Sequence, residues 1–187
     1  MVKREDAFEL LKEYTKTDSL IKHALAVEGS MIGYAEKNGE NTQTWAACGL
    51  LHDLDYEMYP DEHPMRSVDI LKEKGYPEDF ITAILGHADF TNTPRETAMA
   101  KTLYAVDELS SFIIAVVLVR PDKFDGLSVK SVKKKLKDKG FARAVNREEI
   151  NKGMEELGVD PTEHIQLIID SLANREKQLN EISLSLI

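Results

Sequence analysis

The sequence predicts an all-α helical bundle with a C-terminal helical extension, and three observations point there. Apolar residues recur at three- and four-residue steps along nearly every segment, the period of a helix with one buried face. The 187 residues hold only 10 glycines and 6 prolines, too few for a many-stranded fold punctuated by turns. Hydrophobic residues make up 42% and charged residues 30%, so the chain can bury a core and is neither disordered nor a disulfide scaffold.

Residues 3–15 place Ala7, Leu10, Leu11 and Tyr14 on one stripe. Thr17 or Asp18 caps a second helix, in which Leu20, Ala24, Val27, Met31 and Ala35 repeat at helical spacing until Asn38-Gly39 ends it. A third runs from about Thr42 to His52, and a fourth from Pro64 to Lys74 with Gly75 as its stop. Pro77 opens a fifth, which ends near Gly86. A long sixth helix is expected from Pro94, capped by Thr93, to about Val119. Its Ile113–Val119 stretch is rich in β-branched residues and could be a strand on propensity alone. It is assigned to buried helix because it continues a helical pattern and has no strand partner. Arg120-Pro121 ends that element, shorter helices follow at about 129–139 and 146–157, and the last begins at Pro161 and reaches the early 180s. The expectation is one domain over residues 1–187, with its core at about 15–120 and the extension at about 121–187.

Charge and cysteine content narrow the function classes. The net charge is −9, which disfavours duplex nucleic acid because that binding depends on neutralising phosphates. The average hides an asymmetry, since Lys130 to Arg147 holds six lysines, two arginines and one aspartate. The single cysteine, Cys48, cannot form an internal disulfide and fits a reducing cytoplasm; beside Ala46, Ala47 and Gly49 it reads as close-packed core. The charged N-terminus lacks a signal-peptide core, and the longest uncharged apolar run, Leu109 to Val119, is well short of the roughly 20 residues that cross a bilayer. No membrane partner is expected.

The five histidines are His23, His52, His63, His87 and His164. His23 shares a face with Leu20 and Val27 and so points inward, while His52 and His87 end their helices, where the macrodipole favours a cation. Asp107 lies among Leu103, Tyr104, Val106 and Leu109, a costly place for an unpaired carboxylate. A metal accounts for these placements together, because imidazole and carboxylate are the ligands of divalent first-row ions. His164, in Pro161-Thr162-Glu163-His164, reads as an exposed helix residue.

The order of these residues carries more than their number. Ile21-Lys22-His23-Ala24-Leu25-Ala26-Val27-Glu28, Gly49-Leu50-Leu51-His52-Asp53 and Leu103-Tyr104-Ala105-Val106-Asp107 resemble the HD superfamily of metal-dependent phosphohydrolases, whose ligands run His, His-Asp, Asp. The resemblance covers about residues 15–120 and implies an HD-domain-like bundle. Members with two ions carry two further histidines before the last aspartate, where this chain has His63 and His87. The resemblance therefore implies His23, His52, Asp53 and Asp107 on one ion, with Asp53 bridging to a second held by His63 and His87. Only nine residues separate Asp53 from His63, a tighter loop than in many such members, and the pair could instead face substrate beside a single ion. The text His52-Asp53-Leu54-Asp55-Tyr56-Glu57, then Tyr59-Pro60 and His63-Pro64, also looks like a group of small bacterial predicted hydrolases of this superfamily without a settled substrate. That group shares the later Arg120-Pro121 and Ser131-Val132-Lys133-Lys134-Lys135.

Around this set, Arg66 lies one turn after His63 and could clamp a phosphate or pair with Asp69 or Glu62. Asp55 and Glu57 are candidate general acids or bases, with a solvated loop as the alternative. Tyr104 and Ser111 lie one turn either side of Asp107 and are candidate substrate contacts. Lys133 and Lys134 belong to a lysine-rich helix that is either a solvated face or a rim drawing in anionic substrate. The expected cofactor is one or two divalent ions per chain (Mn, Fe, Ni, Co or Zn). Two such ions and two aspartates leave a net positive site suited to a nucleotide or other small phosphate ester, hydrolysed by a metal-activated water. The alternatives are a di-iron oxygenase on the same scaffold and a nucleotide-binding sensor without turnover.

Overall fold

Every segment with a three-four apolar stripe is helical in the computed structural model, which describes residues 2–187. The helices are α1 (Arg4–Tyr14), α2 (Asp18–Asn38), α3 (Thr42–Leu51), α4 (Met65–Glu73), α5 (Glu78–Gly86), α6 (Ala98–Leu118), α7 (Val129–Leu136), α8 (Arg147–Leu157) and α9 (Pro161–Asn180). A single 3-10 turn, Asp89–Thr91, follows α5, and no strand occurs among the described residues. Of the β-branched Ile113–Val119 stretch, residues 113–118 are helical, with Ile113, Val116 and Val117 buried, while Leu118 and the C-cap Val119 are exposed.

Side-chain caps set several of the starts. Asn41, Asn146 and Asp160 accept backbone N–H groups at the heads of α3, α8 and α9, which would otherwise lack partners. One boundary differs from expectation. The sixth helix begins at Ala98 rather than Pro94, because Thr97, not Thr93, caps it by accepting from Ala100 N. The side chain of α2's own N-cap, Thr17, accepts no capping hydrogen bond from the helix; Glu57 reaches across from the loop after α3 to take Lys16 N at 2.8 Å and Thr17 N at 3.1 Å.

The long helices α2 and α6 form the centre. α2 packs against α3, α6 and α9, and α6 also against α5 and α8. Two glycines permit the closest approaches to a neighbouring helix backbone. A Cβ on Gly49 would lie 2.7 Å from the Cα of Glu28, and one on Gly153 would lie 2.6 Å from the Cα of Ala105. The Glu28 side chain is fully enclosed and held by Arg4 Nε at 2.6 Å and Arg175 NH2 at 2.7 Å, which joins α1 and α9 through α2. Cys48 is core, as its small neighbours imply.

His164 corrects the sequence reading: it is 1% exposed. α9 crosses α2 and α6, where Nε2 of His164 donates to Ala105 O at 3.2 Å and Nδ1 accepts from the Tyr34 hydroxyl. Burial pushes its pKa down to about 4, so the ring is neutral.

Candidate metal centre

The six residues in the His, His-Asp, His, His, Asp order reach one place from five parts of the helical frame, His52 and Asp53 sharing one. His23 comes from α2 and Asp107 from α6. His52 and Asp53 follow the end of α3, His63 precedes α4, and His87 ends α5. The Gly49 contact seats α3 against α2 one turn before His52, and that spacing brings His52 Nε2 within 3.0 Å of His23 Nε2.

Two groups of donor atoms result. His23, His52 and Asp107 form one, with Asp107 Oδ1 at 3.2 Å from His23 Nε2 and 3.4 Å from His52 Nε2. Asp53, His63 and His87 form the other, with Asp53 Oδ1 at 3.5 Å from His63 Nε2 and 3.2 Å from His87 Nε2. The second oxygen of Asp53, Oδ2, turns to the first group, at 3.6 Å from His23 Nε2 and 3.5 Å from His52 Nε2.

The outward nitrogens explain why the inner ones can accept an ion. His52 Nδ1 donates to Gly49 O at 2.8 Å, His87 Nδ1 to Ile84 O, and His63 Nδ1 to Asp55 Oδ1 at 2.7 Å. Ser111 Oγ is hydrogen-bonded to His23 Nδ1 at 2.9 Å. A carbonyl or carboxylate partner requires the proton on Nδ1, which leaves the Nε2 lone pair aimed inward in the neutral ring. Four imidazole nitrogens and two carboxylates thus converge with paired outer edges, a donor set that fits one or two divalent ions. The electrostatics agree. Burial alone would lower the pKa of His52, but Asp53 and Asp107 more than offset it and raise it well above the imidazole range. Burial likewise acts against the charged carboxylates, yet His52 and its neighbours hold Asp53 and Asp107 far below the usual range. The pocket favours added positive charge.

The other candidates separate. Asp55 is fully buried, not a solvated loop carboxylate: Oδ1 takes His63 Nδ1 and Oδ2 takes Ser67 N at 2.7 Å. Glu57 caps α2, and the N–H groups of Thr17 and Lys16 hold its carboxyl below the usual range. Ser111 touches His23. The Tyr104 hydroxyl donates to Asp89 Oδ2 at 3.0 Å. Arg66 lies on α4, half-exposed, with NH1 3.6 Å from Asp69 Oδ2 and its guanidinium 5.3 Å from the Tyr59 ring. Lys133 donates to Thr162 Oγ1 at 2.6 Å, at the head of α9, while Lys134 is exposed beside Val116 and Val119 near the end of α6. Sequence reasoning did not single out Glu108, whose carboxyl burial pushes upward and whose Oε2 accepts from Asn146 N at 3.0 Å. Its position next to Asp107 was the available signal.

The HD domain family model matches residues 20–111, a span containing all six converging side chains. The chain belongs to the HD superfamily of metal-dependent phosphohydrolase-like proteins. In this HD protein α7, α8 and α9 lie beyond the matched segment. The HD match and the two His/Asp groups together mark hydrolase-type catalysis at a metal centre. No solved structure matches the chain. No helix among the described residues is long and apolar enough to cross a membrane.

Proposed function

We propose that this HD protein is a phosphohydrolase that cleaves a nucleotide or another small phosphate ester at a two-ion centre. The observation that carries this reading is the division of Asp53, one oxygen toward each donor group. His23, His52 and Asp107 would hold one ion, His63 and His87 the other, and Asp53 would join both. Divalent ions held there supply Lewis acidity toward phosphoryl oxygens and lower the pKa of water toward about 7.

The chain's own residues do the rest. Asp55, Gly49 O, Ile84 O and Ser111 keep the four rings in register. Arg66, one turn beyond His63 and half-exposed, is the candidate clamp for an incoming phosphate, which would displace its loose contact with Asp69. Asp55 and Glu57 have oxygens engaged by His63, Ser67 and the start of α2, so we assign them to positioning rather than proton transfer.

The test is isotopic. Protein loaded anaerobically with Mn²⁺ is expected to turn over a phosphate ester in labelled water, with ¹⁸O appearing in the released phosphate. Activity that requires iron and dioxygen, with label entering from O₂, would replace hydrolysis by oxygenation.

A further inference from the structure

One guanidinium ties the helices beyond the HD segment to the metal centre. Arg95 lies in the irregular stretch before α6 and its side chain is 8% exposed. Its Nε and NH2 donate to the two oxygens of Glu156 on α8 at 2.6 and 2.8 Å. NH1 donates to Gly86 O at 2.7 Å and lies 3.0 Å from Asp89 Oδ1. The plane rests 3.7 Å from the centre of the Tyr104 ring. Asp89 in turn accepts from the Tyr104 hydroxyl and from Lys152 of α8 at 2.7 Å.

The position of this network gives it a purpose. Gly86 and Asp89 flank His87, and Gly86 O is one of the terminal carbonyls of α5 that no helix N–H can satisfy. Arg95 satisfies it from outside the helix. The absence of a side chain at residue 86 matters here, since a Cβ would meet Arg95 Cγ at 3.1 Å. The main chain before His87, at Gly86 O, and the Asp89 side chain after it are therefore tied to α8, while His87 Nδ1 is fixed to Ile84 O. The other three histidines have no comparable link to the C-terminal helices among the described hydrogen bonds.

We infer that Arg95, braced by Glu156, is a positioning residue for His87, so that α8 sets the affinity of the second ion. This rests on the two-ion reading of the centre. Arg95 touches neither substrate nor ion; it acts by holding the main chain from which His87 projects.

The experiment loads the full chain anaerobically with Co²⁺ and follows binding by visible absorption and elemental analysis. The parent is expected to bind two ions. Arg95→Met is expected to bind the first unchanged and the second about 10- to 100-fold more weakly, the scale of outer-sphere losses at metal sites. Glu156→Gln is expected to show the same loss in milder form and carries the test if Arg95→Met does not fold. Arg4→Met, which removes a similarly sheltered guanidinium from Glu28, serves as the control for general destabilisation and is expected to keep both ions. Two ions bound by Arg95→Met with parental affinities would overturn the positioning role while leaving the two-ion centre intact. Equal weakening of both ions in Arg95→Met and Arg4→Met would overturn it as well. A parent that binds one ion under every loading would sink the two-ion reading, and this inference with it.

Discussion

Asp55, fully buried, accepts the Nδ1 proton of His63 at 2.7 Å and so decides which nitrogen His63 turns toward Asp53. The arrangement is a carboxylate–imidazole pair whose far end faces Asp53, where the proposed second ion would sit, a geometry that raises ligand basicity and fixes the tautomer. Asp55→Asn keeps the shape but removes the charge. It is expected to weaken the second ion by about 10- to 100-fold. Metal titration followed by elemental analysis checks this, and an unchanged stoichiometry and affinity would show that the pair is dispensable.

Asp53→Ala is expected to lose both ions and all activity, because its two oxygens serve both donor groups. The side chain is only partly buried, so the far-ultraviolet circular dichroism should persist. Stoichiometric metal retained in that variant would end the assignment of Asp53 as a shared ligand.

Gly49→Ala tests the helix contact behind His52. The new methyl would sit 2.7 Å from backbone atoms of Glu28, which cannot swing away as a side chain could. Overpacking of this kind costs about 1–3 kcal/mol. Denaturant unfolding should show that loss, and the displaced α3 should also weaken the ion held by His23 and His52.

The buried His164 gives a pH dependence of stability with a definite sign. Its folded pKa, about 4, lies below the unfolded value of about 6.5, so on acidification the unfolded chain takes up the proton first. Stability is unaffected above about pH 6.5, falls between about 6.5 and 4, and levels off below, for a total near ~3 kcal/mol. His164→Gln removes the effect. The difference between parent and variant in urea midpoint, followed against pH, isolates it from the histidines of the centre; a flat difference would refute it.

The lysine helix is expected to act weakly. α7 packs on α9 and the last turns of α6, and Val116 lies nine residues beyond Asp107, about 13 Å along the helix, more than a Debye length at physiological salt. Replacing Lys133, Lys134 and Lys135 by Gln should raise KM for a phosphate ester less than about threefold and leave kcat unchanged. A tenfold rise in KM would place these lysines at the substrate.

Much of this was legible in the chain. The three-four periodicity located the nine helices among the described residues, and the order of His23, His52-Asp53 and Asp107 marked residues that the fold brings together. What escaped depended on contacts distant in sequence. Asp55 reads as a loop carboxylate until the turn after α3 tucks under α4 and hands it Ser67 N. Arg95 reads as the first turn of a helix, and only Glu156, 61 residues away, explains why the chain stays irregular there. His164 did leave a trace: it stands one and two turns before Ile168 and Leu172, on the buried stripe of α9, but the polar Thr162-Glu163 before it masked it.

The enclosure of Glu28 between Arg4 and Arg175 bears on how this protein can be cut. The matched HD segment begins after one of those arginines and stops short of the other. A fragment trimmed to residues 20–111 would leave Glu28 with neither counter-charge; in the intact fold, losing one partner of such an enclosed pair costs about 3–5 kcal/mol. The cost would fall on the fold as a whole, because the helix that carries Glu28 packs against α3, α6 and α9. Expression boundaries drawn around the recognisable motif alone would therefore discard both cations that neutralise the enclosed Glu28.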